Sequence, residues 1–456
     1  MLRHPVSSRV RTAAALAAAT LLCTAHPAAA KVFSPSVFTL DNGMTVVVVE
    51  NHRAPIASHM IWYKVGAADE PAGKTGLAHL LEHLMFKGTT RVPAGEFSKI
   101  VAEHGGRDNA MTSLDFTAYY QMISTDNLPL VMRLEADRMA NLKLADKDFQ
   151  TEREVVREER RQRVENEPAA LLGERLAMAM WMNHPYARPV GGFDSEILGL
   201  TRADALAFHA RWYAPNNAVL LVAGDVEPER VREMAVRQFG RIPRADTPKR
   251  HRGAPESPPA EIRIAFSHPL VKQAEWTRAT IVPGCAGTDR ETGAALNAAA
   301  EILGGGATSR LYRDLVQDRG LALGISAVYR GIAAGPGTFA VAATPAPGTD
   351  PAVLAQAVSD EIDALARDGV TAAELSRVTA RMLAEGVYAR DDLFSAPQIL
   401  AQTLAVGCPL ATVESFPDDV AALKPAQVAA AVRTYLAGVP HAEGLLLPEA
   451  AKGARP

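Results

Sequence analysis

His79 and His83 stand four residues apart, with Glu82 between them, in the run Gly76-Leu77-Ala78-His79-Leu80-Leu81-Glu82-His83-Leu84-Met85-Phe86-Lys87-Gly88-Thr89. On a helix an i, i+4 pair projects from one face, so both imidazoles can reach a single metal ion. Glu82 sits at the edge of that face, close enough to take a proton from a neighbouring water. The order H-x-x-E-H is the inverse of the H-E-x-x-H arrangement of zinc hydrolases. Zinc in a hydrolytic site usually has three protein ligands and one open position, and it lowers the pKa of water there toward ~7. A carboxylate then acts as general base. The helix supplies two ligands and the base, so a third ligand must come from elsewhere.

The acidic stretch Glu152-Arg153-Glu154-Val155-Val156-Arg157-Glu158-Glu159 is the source. Glu152 and Glu159 are seven apart and share a helical face to within about 20°, whereas Glu158 points away from both. One of the pair can bind the metal while the other stands behind a histidine or near the water. Each piece alone is ordinary: a His pair is often incidental, and a charge run is often a solvated helix face. Their combination, in an apolar helix with glycines on both sides, points to a metal.

The elements that must position these residues follow from periodicity. Val37–Leu40 and Met44–Val49 flank Asp41-Asn42-Gly43 and read as a hairpin. Ala57–Val65 and Thr117–Ile123 read as strands, and Gly76–Lys87 and Glu96–His104 as helices. Asp126–Arg163 is helix-forming and heavily charged. Thr201–Trp212 is a helix with Thr201 as N-cap and Asp204 in its first turn, leading to strand Ala218–Ala223 and helix Glu227–Phe239. Residues 243–261 carry five prolines and little that packs, which predicts a surface linker. Beyond it the order begins again, with strands Ile262–Phe266 and Trp276–Val282, helix Arg290–Leu303, strands Gly324–Tyr329 and Thr338–Thr344, and helices Pro351–Asp368 and Thr371–Tyr388. The expected fold is α+β: two homologous domains, 31–242 and 262–448, each a mostly antiparallel sheet with helices on one face, and a tail at 449–456.

Composition is that of a globular protein: 456 residues, 48% hydrophobic, 22% charged, net charge −3. The small net charge favours neither nucleic acid nor an anionic membrane surface. Arg3, Arg9 and Arg11 precede the apolar run Ala13–Cys23, and Pro27-Ala28-Ala29-Ala30 closes it with small residues. That is the layout of a secretory signal over residues 1–30, so the chain is expected to be exported, to a periplasm, with no integral membrane span. Only Cys285 and Cys408 remain after cleavage, and the sequence leaves their pairing open.

With these residues in place, the chain resembles the insulinase/pitrilysin family of zinc metallopeptidases, nearest the bacterial branch of mitochondrial processing peptidase. The resemblance rests on His79–Thr89 followed by Glu152–Glu159. It extends to Gly105-Gly106, Asn109-Ala110-Met111-Thr112-Ser113 with Asp115, Leu200-Thr201, Tyr213-Ala214-Pro215-Asn216-Asn217-Ala218 and Gly224-Asp225-Val226. It implies that His79, His83 and Glu159 bind one zinc ion per chain, that Glu82 is the base, and that Glu152 supports the site. It also implies that Asn109, Ala110, Met111 and Thr112 form an edge strand that pairs with a peptide substrate.

One departure stands out. Family members that act alone carry an arginine and a tyrosine, seven apart, that bind the substrate carbonyl region. The matching stretch here, Leu315-Val316-Gln317-Asp318-Arg319-Gly320-Leu321-Ala322-Leu323, places Val316 and Leu323 at those positions. The second copy of the zinc helix, Ala294-Ala295-Leu296-Asn297-Ala298-Ala299-Ala300, holds no metal ligand. The expectation is a heterodimer whose related partner supplies the arginine and tyrosine, in preference to a homodimer. A non-catalytic peptide-binding or assembly subunit of the same fold is the alternative, and an unrelated metal hydrolase is a third.

Overall fold

The chain enters its first sheet through the expected hairpin, β1 (Ser36–Thr39) and β2 (Thr45–Glu50), paired antiparallel. Gly43 takes the turn with φ 90°, and the Asn42 side chain donates to the Phe239 and Ile242 carbonyls, tying the hairpin to the far end of the domain. The computed structural model describes residues 31–253, 261–389, 392 and 394–449. The expected signal segment 1–30, linker residues 254–260 and tail residues 450–456 lie outside the described residues.

The first half continues with β3 (Ile56–Tyr63), α1 (Leu77–Leu84), α2 (Glu96–Glu103), β4 (Arg107–Thr112), β5 (Thr117–Ser124), α3 (Leu128–Asn141), α4 (Asp146–Arg160), α5 (Pro168–Trp181), α6 (Asp194–Leu198), α7 (Arg202–Trp212), β6 (Ala218–Gly224) and α8 (Pro228–Phe239). The second half has β7 (Ile262–His268), β8 (Glu275–Val282), α9 (Arg290–Gly304), β9 (Ala322–Arg330), β10 (Gly337–Pro345), α10 (Pro351–Asp368), α11 (Ala372–Ala389), α12 (Ser395–Ala405), α13 (Ala411–Glu414), α14 (Phe416–Ala421), α15 (Pro425–Tyr435) and β11 (Ala442–Pro448).

The two sheets repeat one topology. The first runs β1-β2-β6-β3-β5-β4 and the second β7-β11-β8-β10-β9. In each, one parallel pair (β2 with β6, β7 with β11) is followed by antiparallel neighbours, so β3 matches β8, β5 matches β10, and edge strand β4 matches edge strand β9. The fold is α+β with two mostly antiparallel sheets. α9 stands where α1 stands in the first half, and Ala294, Ala295, Leu296, Ala298, Ala299 and Ala300 are buried in the second core.

Strand alternation fixes what each face meets. Val46, Val48, Ile61, Tyr63, Tyr119, Leu220 and Val222 face the main helical layer of the first half. Val47, Val49, Met60, Trp62, Val219 and Leu221 face the other way and meet Leu400, Ala401 and Ala405 of α12. The second sheet is treated reciprocally: Ile264, Ala279, Ile281 and Ala442 meet Leu176, Met180 and Trp181 of α5. Each half therefore keeps its main helical layer on one face of its own sheet and lends helical residues to the opposite face of its neighbour's sheet, α12 with Val413 of α13 to the first and α5 to the second. Central strand β6 is buried along its whole length, which accounts for its unbroken apolar run.

Several local readings meet tertiary constraints. The charged stretch 126–163 is two helices, because Leu142 leaves the helix and pairs with Thr89. Thr201 caps α7 and Asp204 answers it in a full capping box. Residues 243–253 have no regular structure, yet two of their side chains are built in. The Arg252 side chain is 4% exposed and pairs with Asp69 at 2.8 Å and Asp115 at 2.9 Å. Arg250 donates to the carbonyls of Asp115 and Ala405, both at 2.6 Å. Cys285 and Cys408 form a disulfide with Cα atoms 5.8 Å apart, fastening the turn after α12 to the loop after β8. No helix among the described residues is long and apolar enough to cross a membrane.

Candidate metal centre

The zinc-type helix α1 is held from both ends. Leu77, Leu80, Leu81 and Leu84 are buried in the first core, each stabilising the helix by roughly 1.5–3 kcal/mol. At its start Gly76 has φ 86° and abuts Gly192, where an added Cβ would lie 2.6 Å from the Gly76 Cα. The Glu70 carboxylate accepts the N–H groups of Gly76 (3.1 Å) and Ala78 (2.7 Å), and Glu196 accepts both the N–H and hydroxyl of Thr75 at 2.8 Å. Two carboxylates thus face the positive end of the helix dipole, one residue ahead of His79. Burial pushes Glu70 well above the usual carboxylate range.

α4 packs alongside α1 through Phe149, Glu152, Val156 and Arg160, a single buried stripe. Arg157 anchors it by a two-pronged contact with Asp194 at the start of α6, 2.7 and 3.0 Å. This packing brings together His79, His83 and Glu159, whose ligand-capable atoms all lie within 4.8 Å of one another. Glu159 Oε2 is 3.2 Å from His83 Nε2 and 3.8 Å from His79 Nε2. Two imidazole nitrogens and one carboxylate oxygen, on one side of a buried helix, are a donor set that fits zinc.

Glu152 stands behind this group, its Oε2 3.3 Å from His83 Nδ1 and its Oε1 2.6 Å from Lys87 Nζ. The two glutamates therefore take opposite sides of the His83 ring, as their seven-residue spacing permits. Glu158 turns away and pairs with Arg161. Glu159 Oε1 meets Arg163 at 2.5 Å. His79 Nδ1 is buried and has no hydrogen-bond partner among the described residues.

The electrostatics sort the groups. Burial, then the charge of His83, holds His79 down at about 4, so its ring is neutral and able to donate a lone pair. Burial also opposes charge on His83, but the hydrogen bond it donates to Glu152 and the charges of Glu82 and Glu159 outweigh it and leave it raised. Glu152 is likewise opposed by burial, yet His83 and Lys87 hold it lowered. Burial raises Glu82, partly countered by the Thr112 hydroxyl, which donates to its Oε2 at 2.5 Å.

The four residues 109–112 lie on edge strand β4, paired with β5 in the register Asn109–Tyr120, Ala110–Tyr119, Met111–Ala118 and Thr112–Thr117. Ala110 and Thr112 face the first core and α1, whereas Met111 faces the core around α12. Val316 packs against the second core, and Leu323 is 55% exposed on β9; neither side chain can donate a hydrogen bond. Glu70, Lys87, Arg163 and the hydroxyl of Thr112 carry no signal in the sequence that ties them to this site.

A tandem α+β fold with a His-His-Glu cluster beside a buried glutamate is the arrangement expected of an inverted zinc motif. Residues 45–193 match the family model described as insulinase (peptidase family M16), and residues 199–382 match its peptidase M16 inactive domain. The zinc protease PqqE of Helicobacter pylori is 38% identical over 62% of this chain and 64% of its own length. An uncharacterised zinc protease of Mycobacterium leprae is 33% identical over 74% of each chain. The crystal structure of a protease from Helicobacter pylori superposes with TM-score 0.82 at 29% identity, covering 91% of this chain and 99% of that one. The periplasmic protease PqqL of Escherichia coli shares the fold at TM-score 0.78 and 18% identity, with 91% of this chain covering 48% of that one. The chain belongs to the insulinase family of zinc proteases, peptidase family M16.

Proposed function

We propose that this chain is the zinc-binding half of a peptidase that hydrolyses peptides or unfolded polypeptide segments. The observation that carries this reading is the convergence of His79 Nε2, His83 Nε2 and Glu159 Oε2, with the Glu82 carboxylate held on the same helix face. These three residues would hold one zinc ion, which when bound supplies Lewis-acid polarisation of water and of the scissile carbonyl. Glu82 takes a proton from the attacking water and returns it to the leaving amine as the C–N bond breaks. Glu152 fixes the ring of His83. Asn109 to Thr112 receive the substrate as an added strand on the edge of the first sheet.

The chain lacks donors at Val316 and Leu323, so the arginine and tyrosine of the complete site come from a related partner subunit that closes over the substrate. Support comes from PqqL, in which one chain spans about two lengths of this fold. A non-catalytic peptide-binding or assembly subunit is the second reading, and the same two apolar residues favour it. The organisation proposed is a secretory signal at 1–30, a zinc domain at 31–242, a connecting segment at 243–261 and an inactive repeat at 262–448. The signal-like N-terminus and the Cys285–Cys408 disulfide support export to an oxidising compartment.

The test is cleavage of a quenched-peptide library by the purified chain, alone and mixed with a related exported protein that carries the arginine–tyrosine pair. Activity only in the mixture supports the split site. Full activity alone rules out the need for a partner. Stoichiometric zinc without cleavage in either state supports the binding-subunit reading.

A further inference from the structure

The strand proposed to receive the substrate and the side chain proposed to act as base are joined by one hydrogen bond, from Thr112 Oγ1 to Glu82 Oε2, 2.5 Å long. Thr112 is the last residue of β4, and its position is fixed on three sides. Across the sheet it pairs with Thr117, whose own hydroxyl donates to the Val65 carbonyl at 3.0 Å. Two residues earlier on the same face, Ala110 packs on the first core. Four residues earlier, Asp108 accepts the Ser98 hydroxyl of α2 at 2.6 Å. Residues 108, 110 and 112 therefore clamp β4 to α2 and α1, while the outer edge of β4 has no neighbouring strand among the described residues.

The base has little freedom. Glu82 is 9% exposed, lies one residue from His83, and has one of its two oxygens engaged by Thr112. A glutamate carboxylate on three rotatable bonds samples several orientations unless a donor selects one. The Thr112 hydroxyl makes that selection, leaving Oε1 to meet a proton.

We infer that Thr112 is a positioning residue for Glu82, so that pairing of a substrate along β4 and orientation of the base are one mechanical unit. Its part in substrate binding is then carried by its backbone, and its side chain serves the chemical step. The inference rests on the reading of Glu82 as base. Substitution by valine keeps the shape and β-branching of the side chain, and hence the strand, while deleting the donor. Serine keeps the donor and loses a methyl group.

The experiment compares the parent chain, Thr112→Val and Thr112→Ser, with partner present if cleavage requires it, and quantifies zinc in each. Expected for Thr112→Val is a 10- to 100-fold fall in kcat, KM within about twofold of the parent and unchanged zinc content. Thr112→Ser should recover most of the lost kcat. A raised KM at unchanged kcat, or a serine variant as slow as the valine one, overturns the inference. A crystal structure of Thr112→Val reads the same question without activity. Glu82 should leave its place on the Thr112 side of the site, and an unmoved Glu82 overturns the inference even if no peptide is cleaved. Failure of the peptidase reading shows separately, as a parent chain that binds zinc but cleaves nothing.

Discussion

Glu152 approaches His83 from the side opposite Glu159: its Oε2 is 3.3 Å from Nδ1, while Glu159 is 3.2 Å from Nε2. A carboxylate at Nδ1 fixes which nitrogen carries the proton and leaves Nε2 free for a metal. Lys87, 2.6 Å from the other oxygen, keeps Glu152 in place and partly offsets its charge. Replacing Glu152 by Gln should weaken zinc binding by roughly 10–100-fold, since such supporting partners typically matter by that much. Competition with a chromogenic chelator measures it, and excess zinc should restore much of the activity. Unchanged affinity would mean that His83 is oriented by its helix alone.

The buried arginine between the halves should matter for stability. The side chain of Arg252, 4% exposed, joins Asp69, ahead of α1, to Asp115, just after β4. Asp115 also accepts the hydroxyl of Tyr186 and the N–H of Ala334 from the second half. Arg252→Leu would leave two carboxylates without their cation, a loss of about 3–5 kcal/mol by analogy with other broken buried pairs. Chemical denaturation should show an earlier transition. A shift under about 1 kcal/mol would indicate that water reaches these carboxylates.

A pH effect is expected far from the His79–His83–Glu159 cluster. Arg310 grips Glu374 with two contacts, 2.8 and 3.0 Å, and Thr371 adds its N–H and hydroxyl at the start of α11. Arg310 chiefly holds Glu374 down to about 2, below the ~4.3 of an unfolded chain. A depressed carboxylate stabilises fully above the unfolded value and loses its contribution as pH falls through the folded one. Glu374→Gln should therefore cost about 1–3 kcal/mol near neutrality, and the gap should close between about pH 4 and 2. Thermal scans of parent and variant across that range decide it; a gap independent of pH would point to packing instead.

What the sequence made legible was what depends on local spacing. His79, Glu82 and His83 lie within five residues, and Glu152 and Glu159 within two helical turns, so one helical rule aligns each group. Strands β2, β3, β5 and β6 announce themselves by alternation or by unbroken apolar runs. The hydrogen bond from Thr112 to Glu82 spans thirty residues, and Glu70 reaches the zinc helix through a loop, so no periodicity reveals either. The exchange of α5 and α12 was hidden for a related reason. Each helix looks amphipathic whichever sheet it covers, and only the topology decides that it is the neighbour's. Strand β11, paired on both sides in the second sheet, offers only Leu445-Leu446-Leu447 as signal. The linker reading missed Arg250 and Arg252 because a proline-rich composition says nothing about two side chains that find buried carboxylates and carbonyls.

In the proposed site Glu82 does the proton transfer beside a metal held by His79, His83 and Glu159. The measurement that tests it most directly is zinc content and peptide cleavage of Glu82→Gln beside the parent chain, in the state in which the parent is active. The expected result is one zinc per chain in both and a fall in kcat of at least about a hundredfold in the variant. Cleavage by Glu82→Gln at the parent rate, or a parent chain without zinc, would contradict it.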